Sequence, residues 1–160
     1  MKHISFISVA ILLSIALTGC HKEKSKSEQV LEFRNELTEQ DTMQMLKLCD
    51  DCMELLKNRQ IDKALGMLHE YDDSLKTVAP LTAEMTKRYE RVFNTFPVYE
   101  YTRSYYSFQL EGLNDVKYDI LFAENDKTAK TAFMFNPVRV DGTWYLCVKR
   151  ADQEIDESKR

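Results

Sequence analysis

The stretch from Thr131 to Arg150 reads TAFMFNPVRVDGTWYLCVKR and predicts a β-hairpin. Two runs rich in β-branched and aromatic residues, 131–140 and 143–150, are joined by Asp141-Gly142, a dipeptide well suited to a two-residue hairpin turn. Such a turn sets the register of the two strands, so that Arg139 faces Trp144 and Phe135 faces Val148. The side chains predicted to lie on the core face are Phe133, Phe135, Trp144, Leu146 and Val148.

Two further strands precede this hairpin, and the first of them contains a conflict in its alternation. Residues 98–110 are rich in Tyr, Phe and Thr, and in residues 116–122 apolar side chains alternate with mostly polar neighbours. In the first run two sets of side chains have opposite parity: Tyr99, Tyr101 and Tyr105 in one set, and Tyr106, Phe108 and Leu110 in the other. A bulge near Tyr105-Tyr106 would let both sets face the core and would bend the sheet. We therefore expect four antiparallel strands in a bent sheet.

The residues before these strands have helical periodicity. The strongest pattern runs from Thr42 to Asn58, with Asp41 or Thr42 as the N-cap and a broad apolar stripe along one side. Other helices are predicted over residues 30–37, 62–70 and 80–96. Because the helices come first and the strands follow, the predicted fold class is α+β. The N-terminal helices are expected to pack on one face of a curved, four-stranded antiparallel sheet.

This order of elements resembles the cone-shaped cystatin-like and nuclear-transport-factor-2-like folds. The resemblance covers residues 42–150 and rests on a long helix, a shorter helix with Ile61-Asp62-Lys63-Ala64-Leu65, a third helix, and strands ending in Gly142-Thr143-Trp144-Tyr145-Leu146. It departs from the usual pattern at one point, because that pattern places a short strand pair between helices and the sequence predicts none. Members of these folds include isomerases, cyclases, binding modules and small bacterial lipoproteins, so the resemblance implies no single function.

The first twenty residues resemble the signal peptide of a bacterial lipoprotein. An apolar run over residues 4–17 follows Lys2 and ends in Leu17-Thr18-Gly19-Cys20, which resembles a lipobox. The run is too short to span a bilayer comfortably, since spanning takes about 20 residues. The resemblance implies removal of residues 1–19 and lipidation of Cys20, although a plain secretory signal and an uncleaved anchor stay open as alternatives.

These features predict the organisation and location of the chain. Residues 20–29 are expected to form the lipidated Cys20 and a flexible tether, because residues 21–28 read HKEKSKSE and offer no apolar side chain to bury. A single globular domain is predicted over residues 30–151, followed by a charged tail over 152–160. The expected location is the cell envelope, in the outer membrane of a Gram-negative bacterium, with the membrane as a partner through the lipid on Cys20.

Charge and motif content exclude some classes of function. Without Lys2 the chain has 21 basic residues against 26 acidic ones, a net charge of −5. This balance argues against nucleic acid as a partner, because nucleic-acid binding needs a concentrated basic face. The sequence has no Gly-rich phosphate loop, no Gly-x-Ser-x-Gly elbow and no His-Glu-x-x-His motif, and we predict no cofactor.

The first predicted strand offers candidate ligand-binding residues. Tyr101, Arg103 and Tyr105 share one parity, so on a bent strand they would line a concave pocket in which Arg103 donates to an anionic or polar ligand. The alternative is a half-buried strand whose tyrosine hydroxyls stay in water while the Arg103 side chain reaches to the surface. That alternative is the favoured interpretation.

His69 is the only histidine outside the signal and tether, and it is a weak candidate for catalysis. Imidazole titrates near neutrality and serves as a general base, but no recognisable nucleophile accompanies this one. A lone histidine near a helix end is more often a surface residue. We therefore treat a catalytic role for His69 as the less favoured interpretation.

Cys49-Asp50-Asp51-Cys52 suggests redox chemistry or metal binding, but helical spacing places both thiols in the apolar stripe. Zinc would need further ligands, such as His69 and Cys147 from two other elements. Burial and the neighbouring carboxylates would raise the thiol pKa values, whereas redox pairs need a lowered one. Core thiols are therefore the favoured interpretation, with a local disulfide and a metal or redox site as the alternatives, and no metal site is predicted.

Three functions are consistent with these features. The first is a non-enzymatic envelope lipoprotein whose domain binds an envelope protein or a small ligand. The second is a small isomerase- or cyclase-type enzyme, which needs a buried carboxylate or His69 beside a tyrosine hydroxyl in the cone cavity. The third is a structural spacer, which predicts a filled core without a cavity. The sequence favours the first function over the enzyme.

Overall fold

The computed structural model describes residues 24–149 and has an α+β architecture. Its elements in chain order are α1 (Lys26–Glu36), α2 (Glu39–Lys57), α3 (Ile61–Met67), β1 (Leu68–Asp72), β2 (Thr77–Pro80), α4 (Ala83–Thr95), β3 (Glu100–Leu110), β4 (Leu113–Leu121), β5 (Lys130–Val140) and β6 (Thr143–Val148). The strands form one six-stranded sheet in the order β2-β1-β6-β5-β4-β3. The sheet is mixed, because β1 pairs with β6 in parallel while the other described pairs are antiparallel.

The predicted four-stranded antiparallel sheet is therefore wrong in strand number and in direction. Strands β1 and β2 form a hairpin between α3 and α4, where the sequence predicted the end of one helix and the start of the next. The two strands have only five and four residues, too few for a clear alternation of period two. Pro80 lies in β2 and does not begin a helix, which is possible because β2 is an edge strand.

Side-chain caps determine where the helices begin. Helix α2 begins at Glu39, because the Thr38 hydroxyl accepts from the amide of Asp41 while the Asp41 carboxylate accepts from the amide of Thr38. The predicted start at Thr42 is therefore wrong by three residues. Helix α1 has the same reciprocal cap between Ser25 and Glu28. It begins at Lys26, so residues 26–29 of the predicted tether are helical.

The predicted hairpin between β5 and β6 is confirmed in register and in burial. Arg139 pairs with Trp144, and Phe135 pairs with Val148. Asp141 and Gly142 both have positive φ, at 49° and 77°, as a type I′ turn requires. The side chains predicted for the core face are all buried: Phe133, Phe135, Trp144, Leu146 and Val148. They pack with apolar residues of α2, α3 and α4, so these helices cover one face of the sheet.

Strand β3 is irregular at two points, and this determines which side chains share a face. The pairing with β4 shifts between Arg103 and Tyr105, which leaves Ser104 as an extra residue, and again between Phe108 and Leu110. A bulge was predicted one residue later, near Tyr105-Tyr106. The bulge at Ser104 places Arg103 opposite Tyr118 and Tyr106 opposite Val116, both on the face covered by the helices.

A second, smaller apolar cluster lies on the other face of the sheet. It consists of the buried residues Tyr71, Val138 and Cys147, with Val78, Val140 and Tyr145 packed against them. The Tyr71 ring lies over Gly112 in the turn between β3 and β4, so closely that a Cβ atom at position 112 would be 2.3 Å from Tyr71 Cε1. This contact joins β1 to the far end of the β3–β4 hairpin.

Candidate functional site

Arg103, which was predicted to line a pocket, forms an ion pair with helix α2. Its Nη1 lies 3.0 Å from Oδ1 and 2.9 Å from Oδ2 of Asp50. Helix α2 positions Asp50 on the flank of its buried stripe, directly after the core residue Cys49. The side chains of Arg103 and Asp50 are 31% and 44% exposed. The guanidinium is therefore already occupied by a carboxylate of the same chain.

Tyr118 extends this network into the core. The ring is fully buried, and its hydroxyl donates to Oδ1 of Asp50 at 2.6 Å. Burial is the main reason that the pKa of Tyr118 is raised, and the bond to Asp50 adds to it. The Asp50 carboxylate thus accepts hydrogen bonds from a phenol and a guanidinium at once. A carboxylate beside a tyrosine hydroxyl is the arrangement required by the proton-transfer hypothesis, but here Arg103 neutralises it.

Tyr101 lies beside this network and is also bound to α2. Its hydroxyl donates to Oε2 of Glu54 at 3.2 Å, and its ring meets the Tyr118 ring edge-on at 5.8 Å between centroids. The Lys57 amine lies 5.9 Å from the centre of the Tyr101 ring. Burial, followed by the bond to Glu54, raises the pKa of Tyr101. Side chains of α2 and β3 therefore fill the space between helix and sheet at this end of the strand.

Tyr105 does not join Tyr101 and Arg103. It pairs with Lys117 after the bulge at Ser104, which puts it on the opposite face of the sheet, and it is 38% exposed. Tyr106 takes its place on the helix side, where its ring packs against Phe108 at 5.3 Å. The structure thus brings together two of the three predicted ligand-binding residues and separates the third.

His69 lies in β1 and away from the Asp50 network. The structure pairs it with Pro80 of β2 and Cys147 of β6. Its Nδ1 lies 3.0 Å from the carbonyl oxygen of Met67, and its ring meets the Tyr145 ring edge-on at 5.4 Å. His69 is therefore on the face of the sheet opposite to Asp50 and Tyr118, and the proton-transfer hypothesis cannot combine the three groups in one cavity.

Cys49 and Cys52 are fully buried core residues with free thiols, which confirms the favoured interpretation of their spacing. Burial raises the pKa of Cys52 to about 12 and raises that of Cys49 as well. Cys147 is also free and buried, in the second apolar cluster. Within residues 24–149 no group of three or more His, Cys, Asp or Glu side chains is arranged to hold a metal ion.

A pocket of about 620 Å³, hereafter the α1 pocket, lies between three elements that the sequence analysis did not connect. Helix α1 contributes Lys26 and Gln29, the β1–β2 hairpin contributes Tyr71, Asp73 and Lys76, and the turn between β3 and β4 contributes Leu110–Leu113. Apolar and aromatic groups thus line the pocket together with a few charged ones. Burial raises the pKa of Tyr71, and the positive charge of Lys76 partly opposes this rise.

The α1 pocket could not be found from residue spacing, since its three elements are far apart in the chain. The one local signal was Gly112, which allows the Tyr71 ring to approach the turn between β3 and β4. Finding the pocket also required β1, whose first three residues the sequence analysis assigned to a helix.

The sequence analysis also missed several buried polar residues near the start of β4. Asp115 and Lys149 form an ion pair whose side chains are only 3% and 9% exposed. Close by, Asn114 and Asn136 bond to backbone groups of neighbouring strands, for example Asn114 Nδ2 to the Pro137 carbonyl at 2.8 Å. These amides hold the start of β4 against β5 where the β3–β4 pairing is irregular. The alternation in residues 116–122 gave no indication that a charged pair would be buried.

Comparisons with known proteins found no match among family models, curated proteins or solved structures. Cys20, the predicted site of lipidation, lies outside the described residues. Among residues 24–149 no helix is both long and apolar enough to cross a bilayer.

Proposed function

We propose that this protein is a lipoprotein of the cell envelope, anchored in the outer membrane of a Gram-negative bacterium, whose domain binds a small ligand without catalysing a reaction. The support for the anchor is the sequence Leu17-Thr18-Gly19-Cys20 after a short apolar run. Two or three acyl chains on Cys20 would hold the protein firmly, because each buried methylene contributes about 0.8 kcal/mol and a single chain is only marginal.

We further propose that the domain has a nuclear-transport-factor-2-like or cystatin-like fold with a curved sheet. Support comes from the β1–β2 hairpin between α3 and α4, since a short strand pair between helices was the one feature of the family pattern that the sequence lacked. The two pairing shifts in β3 and the contact of Tyr71 with Gly112 support a strongly bent sheet.

The observation that carries the proposal of binding over catalysis is the closure of the Asp50 network. Asp50 is bonded to Arg103 and Tyr118, so its carboxylate is neutralised and engaged before any substrate arrives. A general base needs a free lone pair within hydrogen-bond reach of the substrate proton. Both carboxylate oxygens of Asp50 already accept hydrogen bonds from Arg103 or Tyr118, so this side chain holds α2 on the sheet.

Binding is assigned to the α1 pocket and not to the predicted group of Tyr101, Arg103 and Tyr105. The pocket is concave, and its apolar and aromatic surface is combined with polar groups of both charges, as sites for small ligands have. These polar groups belong to Lys26, Gln29, Asp73, Lys76 and Glu111. A flat exposed aromatic surface would instead favour a partner protein. A structural spacer would have no such pocket.

A proton-transfer enzyme is the second candidate, because the Tyr118 hydroxyl and Asp50 are 2.6 Å apart. This hypothesis requires Arg103 to leave Asp50 when substrate enters. It would gain support if Asp50→Asn abolished turnover of a ligand bound by the protein while leaving its affinity unchanged.

Photo-crosslinking in living cells tests the binding proposal with the full, membrane-anchored chain. A benzoylphenylalanine residue replaces Gln29, which lines the α1 pocket, or Gln40, an exposed residue near the start of α2 that serves as the matched control. We expect irradiation to give, at position 29, an adduct of discrete small mass that differs from the masses of the membrane phospholipids, and no adduct at position 40. The same adducts at both positions, only phospholipid adducts at position 29, or no adduct at position 29 would contradict the proposal.

A further inference from the structure

Among residues 24–149, the most exposed large apolar side chain is that of Leu75, which is 71% exposed at the tip of the β1–β2 turn. The turn is held in place by Asp72, whose Oδ1 accepts from the amides of Ser74 and Leu75 at 2.9 and 3.1 Å. Lys76 follows Leu75 with its amine on the Asp73 carboxylate. The tip therefore presents an apolar side chain flanked by a charged pair.

This tip lies on the same side of the protein as the start of α1. Asp73 and Lys76 from the turn and Lys26 and Gln29 from α1 line the same α1 pocket. Lys26 has no ion-pair partner among the described residues, whereas the Lys24 amine lies 2.6 Å from Glu32. The surface formed by residues 24–29 and 73–76, hereafter the tether surface, thus contains an exposed leucine, three lysines and two carboxylates. The lysines are Lys24, Lys26 and Lys76, and the carboxylates are Glu28 and Asp73.

The distance from Cys20 limits how far the tether surface can be from a membrane. Lys24 is four residues after Cys20, and four fully extended residues span at most about 14 Å. A lipid on Cys20 therefore keeps the first described residue within about that distance of the headgroups. A domain whose sheet has strands of up to eleven residues is much longer than this tether, so only a limited part of its surface can face the bilayer.

We propose that the tether surface lies on the phospholipid bilayer, with Leu75 in the interfacial region and the amine of Lys26 at the level of the headgroup phosphates. This inference rests on the proposed lipidation of Cys20. An exposed leucine gains by leaving water for the acyl boundary, and a lysine beside it keeps its charge among the phosphates. The contact also sets the orientation of the domain, because it brings the mouth of the α1 pocket to the membrane side.

The test uses the full-length lipoprotein purified from membranes and reconstituted in vesicles of phosphatidylethanolamine and phosphatidylglycerol. The environment-sensitive fluorophore NBD is attached to Leu75→Cys. The native thiols Cys49, Cys52 and Cys147 are buried with raised pKa values, so they do not compete for the label. Lipids that carry a nitroxide quencher near the headgroup then report whether the label lies at the bilayer surface.

Asn125→Cys is the matched control, in the exposed loop between β4 and β5. This loop is joined to the start of β3, because Lys127 lies 2.9 Å from Glu100. Leu110, which lines the α1 pocket, is at the other end of β3, roughly 33 Å away along an extended strand. We expect blue-shifted emission and at least twofold quenching for the label at position 75, with neither change at position 125.

Two outcomes overturn the proposal and are distinguishable from each other. If the protein floats with the vesicles but the label at position 75 is no more quenched than the one at position 125, the lipid anchor stands and the orientation is wrong. If the protein does not float and its Cys20 peptide has an unmodified thiol, the anchor itself fails, and the proposed orientation fails with it.

Discussion

The guanidinium of Arg103 lies 2.9 Å from the carboxylate of Asp50, which joins the first half of strand β3 to the middle of helix α2. The same carboxylate accepts the Tyr118 hydroxyl, so one acidic side chain connects the longest described helix to two neighbouring strands. Residues that looked like a ligand-binding group in the sequence thus hold the helix against the sheet.

Replacement of Arg103 by leucine is expected to lower the free energy of unfolding by about 0.5–1 kcal/mol, because the ion pair is only partly shielded from water. The matched control is Lys47→Ala, which breaks the more exposed pair with Asp51 on the same helix and is expected to change stability by less than about 0.5 kcal/mol. Urea denaturation of both variants measures the difference. Asp50→Asn and its combination with Arg103→Leu complete a double-mutant cycle for the ion pair. Equal effects of Arg103→Leu and Lys47→Ala would contradict a structural role for the Asp50 network.

Asp41 is expected to make stability depend on pH in acid. Bonds from Thr38 and from Trp144 Nε1, at 3.0 Å, lower the pKa of Asp41 from 3.8 to about 2. A lowered folded-state pKa means that its stabilisation is present above about pH 4 and is lost as the pH falls towards 2. Because Asp41 is partly exposed, we expect a contribution of only about 1 kcal/mol.

The measurement for Asp41 is urea denaturation between pH 5 and pH 2 in the native protein and in Asp41→Asn. Trp144 is the only tryptophan, so its fluorescence follows unfolding and also reports the loss of its bond to Asp41. The two proteins should differ in stability at pH 5 and converge towards pH 2. A difference that stays constant over this range would show that the carboxylate does not titrate as described.

Two glycine substitutions are expected to have opposite effects. In Gly112→Ala the new Cβ would lie 2.3 Å from the Tyr71 ring, so the ring or the turn must move, at a cost of about 1–3 kcal/mol. In Gly66→Ala, on helix α3, no atom other than those of the adjacent residues and the helix's own backbone lies within 4 Å of the new Cβ. The better helix propensity should therefore stabilise the protein by up to about 1 kcal/mol. Thermal unfolding of the two variants checks both signs. If Gly112→Ala is as stable as the native protein, Tyr71 does not pack on this turn.

The buried pair of Asp115 and Lys149 predicts a strong asymmetry between single and double variants. Lys149→Met leaves the Asp115 carboxylate buried without its partner, which costs about 3–5 kcal/mol. The double variant with Asp115→Leu removes both charges and should recover most of that loss. Chemical denaturation of the three proteins gives the comparison, and a double variant no more stable than Lys149→Met would argue against burial of this pair.

The sequence was sufficient for the parts of the fold that depend on local patterns. The hairpin around Asp141-Gly142 was predicted with the correct register, because a two-residue turn and one apolar face leave a single way to pair the strands. The long helix was also predicted, although its start was placed at Thr42 because the reciprocal cap of Thr38 and Asp41 was not recognised. Apolar periodicity is clear inside an element and weak at its ends.

Tertiary pairing accounts for what the sequence missed. Strand β1 is short and is recognisable as a strand only through its pairing with β2 and with β6, the latter at the opposite end of the domain's sequence. The separation of Tyr105 from Arg103 depends on a bulge at one residue, Ser104, and a shift of one position changes the face of each side chain that follows. The α1 pocket needs both β1 and the Gly112 turn, so no single segment of the sequence contained it.

The measurement that tests the central claim most directly is mass spectrometry of the N-terminal peptide of the protein isolated from its native bacterial membrane. The account predicts a chain that begins at Cys20, with a diacylglyceryl group on the sulfur and an acyl group on the amine, and it predicts loss of membrane attachment in Cys20→Ala. A mature chain that retains residues 1–19, or one that begins elsewhere with an unmodified Cys20, would contradict the proposed lipoprotein.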